Sequence, residues 1–299
     1  MNAKGRPFFK TSLTNEQLAD IQATTFSENE LSKKYAITYE AGTSGENTLS
    51  QTKNLVVVPD SSVISTDQQV ALYTQDIQIP RLQANALKNQ SDLDQLTRAT
   101  VIFAETKPDT IAQLDPATFS AIQQTTAEQL PNTVNAVYYY QSNDITIKKE
   151  TQVYIYGVLE LLETPANIDF GTQKVTTKTM TYWANLSDNL VVRDTRGKQR
   201  SPWQLMVTQT QPLTNKTNDK DQLESVLFYQ DQTSIFEINQ GAIPIFGIEN
   251  PEDKTYEINT DWSAQNKKGL QLTVPVEQQK KGSYEGTLVW SLVDAPGND

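Results

Sequence analysis

The 299-residue chain contains neither cysteine nor histidine. Without cysteine there is no disulfide, no thiolate nucleophile and no thiolate zinc site. Without histidine every imidazole-based acid–base arrangement is excluded, the Ser-His-Asp triad among them. Long apolar runs are also missing: no stretch reaches the length of about eighteen residues that marks a membrane-spanning helix. The longest apolar stretches, residues 55–58 and 154–162, are strand-sized. Positive charge is scarce, with 25 Lys and Arg against 36 Asp and Glu, a net charge of −11 and a pI near 4.6. Affinity for nucleic acid comes mainly from basic side chains on phosphates, so no nucleic-acid partner is expected. The same deficit argues against an anionic membrane surface, and with no apolar span no membrane insertion is expected.

Catalytic and metal signals are equally thin. Asn218-Asp-Lys-Asp221 has the opening of a calcium loop, but Lys220 interrupts it and no glycine or closing glutamate follows where one is needed. A solvated loop is expected there, with no metal and no cofactor anywhere in the chain. Carboxylates are plentiful, yet nothing singles out two of them as an acid pair in a pocket. An enzyme is therefore not expected. The first residues, Met1 to Phe9, carry charge but no apolar segment of signal-peptide length. The expectation is a trimmed start or an intracellular protein.

What the chain does have is alternation. Tyr284, Gly286, Leu288, Trp290 and Leu292 alternate with Glu285, Thr287, Val289 and Ser291, which in a strand puts Trp290 and Leu292 on one face. Trp203, Leu205 and Val207 repeat the pattern upstream. From Ile168 onward strand follows strand: 168–171, 176–183, 190–193, 203–210, 235–238, 243–248 and 270–276, with polar loops at 215–221 and a turn at 280–283. The fold class expected is mainly β, with tandem β-sandwich-like modules carrying short helices and then an all-β, sandwich-like domain.

The amino-terminal part reads as two related modules. Thr14 and Gln17 form a capping box for a helix over 14–25, and Asp115-Pro116 opens a second helix with an N-cap acid and an N1 proline. Ile21-Gln-Ala-Thr-Thr25 aligns without a gap on Ile122-Gln-Gln-Thr-Thr126, and the same register brings Tyr39 over Tyr140. Gln69–Tyr73 resembles Gln152–Tyr156 after a deletion in the second copy. Strands are expected at 35–40, 54–59, 69–74, 99–104 and 151–162, with a Gly/Ser/Thr/Asn-rich loop at 41–52. The expected domains are a stalk or adhesion module at 1–80, a related module at 81–163 and a distinct domain at 164–299, its linker at Thr164-Pro-Ala-Asn167.

The segment from Ile168 to the end resembles the WxL domain of Gram-positive surface proteins. The features that carry the resemblance are Ile168-Asp-Phe-Gly171, Val192-Arg-Asp-Thr-Arg-Gly197 leading into Trp203-Gln-Leu205, and Tyr284 with Leu288-Val-Trp-Ser-Leu-Val-Asp-Ala-Pro296. The resemblance implies a secreted protein held non-covalently on the cell wall through peptidoglycan, alongside partner proteins of the same envelope complex. The lack of cysteine fits such a protein. Its final residues show no Leu-Pro-x-Thr-Gly motif and no hydrophobic tail, so a sortase anchor is not expected. The alternative is an adhesin whose amino-terminal modules bind a host-matrix or partner surface protein, with the WxL domain only a tether.

Two readings compete for the motif residues Trp203, Leu205, Trp290 and Leu292. Indole faces stack on sugars, but tryptophan in apolar alternation usually packs, and burial is the preferred reading. Trp183 and Trp262 lie in more polar settings and are open to exposed stacking. Asp194 and Arg196 suit sugar hydroxyls or stem-peptide carboxylates, but a structural turn is preferred, with Asp194 bonding backbone amides and Gly197 at positive φ.

Overall fold

A computed structural model of the chain describes residues 7–27, 30–43, 48–105, 111–142 and 145–294. The expected features at Met1–Arg6, Pro108 and Ala295–Asp299 lie outside them. The fold is mainly β and divides into two compact units, one formed by Met1–Thr125 with Asn132–Ile155, the other by Thr126–Pro131 with Tyr156–Asp299. No helix among the described residues is long and apolar enough to cross a membrane.

The first unit opens with β1 (Pro7–Thr11), α1 (Asn15–Gln22), β2 (Lys33–Thr43) and β3 (Thr48–Val57), the strands forming an antiparallel sheet ordered β1-β2-β3. The capping box is present: the Thr14 hydroxyl accepts from the Gln17 amide at 3.1 Å, and the Gln17 side-chain oxygen accepts from the Thr14 amide at 3.0 Å. The loop expected at 41–52 is instead the end of β2 and the first half of β3 on either side of residues 44–47. Thr48 to Leu55 of β3 are all exposed, so no face is apolar and no alternation betrays the strand.

Next come β4 (Val63–Ile64), β5 (Val70–Tyr73), β6 (Ile77–Pro80), α2 (Arg81–Ala86), α3 (Gln90–Thr97), β7 (Thr100–Phe103), β8 (Gln113–Leu114), α4 (Pro116–Gln123), β9 (Asn132–Gln141) and β10 (Thr146–Tyr156). They build one sheet ordered β4-β5-β7 and one ordered β6-β10-β9-β8. The pairing of β5 with β7 and of β6 with β10 joins strands from either side of residue 80. Asp115 caps α4 through the Ala117 amide at 3.1 Å, with Pro116 in the first turn.

The likeness between the two amino-terminal stretches extends to topology. Strand, helix and hairpin recur as β1-α1-β2-β3 and β8-α4-β9-β10, and in each case the hairpin's first strand lies between the other two. The register is shared as well. Thr11 pairs with Tyr39; moving both by the 101 residues between Ile21 and Ile122 (122 − 21) gives 112 and 140, the register in which Gln113 pairs with Tyr139. Burial differs: Tyr138 and Tyr140 are in the core, whereas Ile37 is the buried residue of β2 and Tyr39 is exposed.

The second unit comprises β11 (Leu159–Glu163), β12 (Ile168–Asp169), β13 (Met180–Trp183), β14 (Asn185–Leu186), β15 (Val191–Asp194), β16 (Trp203–Asn215), β17 (Asn218–Leu223), β18 (Leu227–Asp231), β19 (Ser234–Glu237), β20 (Ile243–Ile248), β21 (Lys254–Glu257), β22 (Lys268–Val274) and β23 (Tyr284–Asp294). Its sheets are β11-β15-β21, β12-β14, β13-β22-β18-β19, and β17-β16-β20 with β23 along the other side of β16. One core joins them, built on Leu190, Val192, Trp203, Leu205, Tyr229 and Leu270 with their neighbours.

Three local expectations change here. The single strand at 151–162 is two, because the backbone at Gly157 and Val158 is turned against Thr195: the Thr195 amide donates to the Val158 carbonyl at 2.7 Å, and a Cβ at position 157 would overlap the Thr195 carbonyl oxygen. The loop at 215–221 is the end of β16 and most of β17, a polar, largely exposed strand, so the calcium-loop stretch is extended chain. Of the strand expected at 176–183 only Met180–Trp183 is extended. Pro165, in the expected linker, is buried, and β11, ahead of that linker, pairs with β15.

Candidate functional site

The two Trp-x-Leu motifs lie on adjacent antiparallel strands. β16 pairs with β23 through Trp203–Asp294, Leu205–Leu292 and Val207–Trp290, and residues directly opposite share a sheet face. Both tryptophans and both leucines therefore face inward. Trp203 and Leu205 are fully buried, at 0% exposure; Trp290 and Leu292 are half-buried and pack on the same core. The Trp203 ring meets Tyr256 edge-on at 5.3 Å and Phe246 at 5.5 Å, geometries that favour aromatic pairs.

The turn before the first motif is tied to the strand of the second. Asp194, fully buried, accepts from the Arg196 amide at 3.1 Å and from its guanidinium at 2.9 and 3.1 Å. The same guanidinium donates to Asp294 at 2.8 Å, to the Ser201 hydroxyl at 3.0 Å and to the Ser201 carbonyl at 2.8 Å. Ser201 also donates to Asp294. Burial works against the charge on Arg196, but the bonds to Asp194 and Asp294 outweigh it and hold the guanidinium above its ordinary pKa. The Ser201 hydroxyl and then Arg196 hold the Asp294 carboxyl below the ordinary value. Gly197 closes the turn at φ +63°, and a Cβ there would overlap the Ala127 carbonyl oxygen. Asp194 and Arg196 thus bond to the protein itself. The Asp–Ala–Pro segment supplied Asp294 in the sequence; its bond to Arg196, 98 residues away, has no sequence signal.

The other two tryptophans are half-buried. Trp183 sits on β13 opposite Gln271. Trp262 packs on Tyr229 at 5.5 Å and leans on the core, its indole N–H without an acceptor among the described residues. The structure does not bring these two together with the Trp-x-Leu pair in one pocket.

A cleft of about 730 Å³ does open beside Trp290. It is lined by the half-buried Trp290, Leu288, Tyr182, Leu272 and Tyr284, with the exposed Asn167, Thr172 and Lys174 at its rim. The volume falls within the range of about 300–1,000 Å³ usual for small-molecule sites. Part of the rim is the irregular segment 170–179, fixed where the Thr176 amide donates to the Gln279 side chain at 2.7 Å. Sequence reading missed Tyr182 and Lys174, because no motif joins residues that meet only through packing of two sheets.

No curated protein sequence matches the chain. Among solved structures, the chain is similar to a chaperone–tip adhesin complex of CFA/I fimbriae biogenesis, at 11% identity and a TM-score of 0.27, covering 89% of this chain and 77% of that one. It is also similar to the M60 catalytic domain with CBM51 domains of Clostridium perfringens ZmpB, at 10% identity and a TM-score of 0.19, covering 80% and 24%. Likeness at that level carries no argument. Residues 148–242 match a family model described as "WxL domain surface cell wall-binding", a span that includes β11 to β19 and the first Trp-x-Leu motif but not the second. That family is one of binding domains, and the match supports a WxL cell-surface domain in this part of the chain and, with it, attachment to the cell wall.

Proposed function

We propose that the second unit holds the chain non-covalently on a Gram-positive cell wall by binding peptidoglycan, and that it displays the amino-terminal modules from there. The observation that carries the reading is the family match over 148–242, most of it on the second unit, whose two Trp-x-Leu strands are neighbours in one sheet. In this reading the protein is extracellular, non-enzymatic and needs no cofactor, and Trp203 and Leu205 maintain the binding domain while groups outside the core touch the wall. The test is sedimentation of the full chain with purified Gram-positive sacculi stripped of protein. Co-sedimentation that persists in moderate salt is expected, since an acidic protein gains little from bulk charge on this ligand. Absence of the protein from the pellet would overturn the reading; loss only on adding salt would replace it with an electrostatic mode.

A second reading, an adhesin that binds a host-matrix or partner surface protein, has one observation in its favour. Phe9, Tyr39 and Leu49 are exposed on the β1-β2-β3 sheet, with Phe9 and Tyr39 stacked at 6.1 Å. Phe9 pairs with Ala41, which pairs with Leu49, so all three side chains stand on one face. Exposed apolar patches of this kind mark protein-binding surfaces. Binding of immobilised matrix proteins, lost on Phe9→Ser with Leu49→Ser and unaffected by soluble wall fragments, is the outcome expected of this reading.

A further inference from the structure

The cleft beside the second motif lies within the second unit and mixes apolar with polar groups. Aromatic rings and aliphatic side chains line it, and polar groups that the fold leaves unused stand at its edge. Among the described residues, the Asn167 side-chain carboxamide, the Thr172 and Tyr182 hydroxyls and the Lys174 ammonium have no hydrogen-bond or ion-pair partner; the Asn167 backbone N–H donates to Ser187. Other polar groups there are committed. Asp169 accepts from the Gly171 amide at 2.8 Å, Glu285 is paired with Lys216 at 2.7 Å, and Lys280 and Tyr284 both bond Asp221. Gln279 bonds Thr176, Lys178 and Val274.

We propose that this cleft is the ligand site of the domain, and that it takes an N-acetylated sugar whose attached peptide carries a carboxylate. The proposal rests on the wall-attachment reading given above. Trp290 and Tyr182 supply faces for the apolar side of a pyranose ring, and the free Asn167 carboxamide and Thr172 hydroxyl match acetamido and hydroxyl groups. Lys174 supplies the charge: in a chain of net charge −11, an unpaired cation at a cleft rim favours an anionic ligand over a neutral one. The arrangement gives Trp290 a second role. Its inward ring, half-buried against the core, is also a wall of the cleft, whereas Trp203 lies wholly inside.

The experiment titrates the full chain with two soluble probes by calorimetry and by tryptophan fluorescence. One is a muramidase-released disaccharide-peptide, which carries carboxylates; the other is a chitin oligosaccharide, which has the acetamido groups and no carboxylate. Lys174 is exposed, so Lys174→Glu leaves the fold intact. It is expected to weaken the disaccharide-peptide by about two- to fivefold, the scale of an exposed ion pair, and to leave the chitin oligosaccharide unchanged. Trp290→Leu keeps an apolar side chain in the core and is expected to weaken both probes by about tenfold or more, as loss of an aromatic anchor does. Equal weakening of both probes by Lys174→Glu would overturn the charge assignment. Unchanged binding in both variants, with the wild type still on sacculi, would place the ligand elsewhere on the domain and leave wall attachment standing. Failure of the wild type to sediment with sacculi would remove both.

Discussion

Leu205 stands directly opposite Leu292 in the antiparallel pair of β16 and β23. With the leucines in register, the tryptophans fall at opposite ends of the shared stretch, Trp203 beside Asp294 and Trp290 beside Val207. A motif that looks like a repeated binding element is, in three dimensions, one two-stranded patch of sheet. Its ends differ: the Trp203 end is sealed by Tyr256 and Phe246, and the Trp290 end opens on the cleft.

That difference predicts a split between the two tryptophans. Trp203→Ala removes a wholly buried ring and is expected to cost about 3–5 kcal/mol of stability. Trp290→Ala, from a half-buried site, is expected to cost roughly 1–2 kcal/mol, within the common range for single substitutions. Urea denaturation followed by far-ultraviolet circular dichroism measures both. Equal losses would mean that the two ends of the patch are equally packed.

The Arg196 network gives a second test. Arg196→Ala leaves the Asp194 carboxylate buried without its guanidinium, and removing one partner of a buried pair costs about 3–5 kcal/mol. Asp294→Asn removes only the outer, exposed carboxylate and keeps the Ser201 contact, so its effect at neutral pH is expected to be much smaller. Thermal unfolding of the two variants against the wild type gives the order directly.

Acid should reveal the same network. The Asp294 carboxyl is held below its ordinary pKa in the folded protein by Ser201 and Arg196. A depressed carboxylate binds more protons when unfolded, so its stabilisation is fully present above the unfolded value of about 3.9 and disappears as pH falls through the lower folded value. Wild type is therefore expected to lose more stability than Asp294→Asn as pH falls from about 5 to below the unfolded value. Parallel stability curves for the two proteins would show that Asp294 is not held by this network.

The turn glycine supplies a fourth. Gly197→Ala places a Cβ at φ +63° where the Ala127 carbonyl already lies. Left-handed backbone in a non-glycine residue costs of order 1–3 kcal/mol, and the overlap adds to it. A melting temperature within a degree or so of wild type would mean that the 126–131 segment moves aside freely, since about 1 kcal/mol already shifts a domain of this size by roughly 2–4 °C.

The sequence was most informative where one side of an element is apolar and the other polar. Trp203, Leu205, Val207, Trp290 and Leu292 announce their face by period two, and Thr14, Gln17, Asp115 and Pro116 announce two helix starts by chemistry local to the turn. It was silent where burial does not alternate. β3 is exposed from Thr48 to Leu55, and β17 is a polar strand, Asn218 to Leu223, that composition alone marks as loop. The break at Gly157 was hidden because its cause, the backbone of Thr195, lies far along the chain. The same reason kept the cleft out of sight: Tyr182 and Trp290 belong to different sheets, and only their packing brings both to one opening.

The pairing of β16 with β23 also bears on when the domain can form. Arg196 and Asp294 are 98 residues apart, and β16 emerges from the ribosome long before its partner. Until β23 is made, β16 lacks its neighbour on that side for the whole stretch from Trp203 to Asn215. Contacts of such long range slow folding, because the intervening loop must close before they contribute. In a chain built in this way the sheet face that carries Trp203 and Leu205 is completed last, when Trp290 and Leu292 arrive on β23.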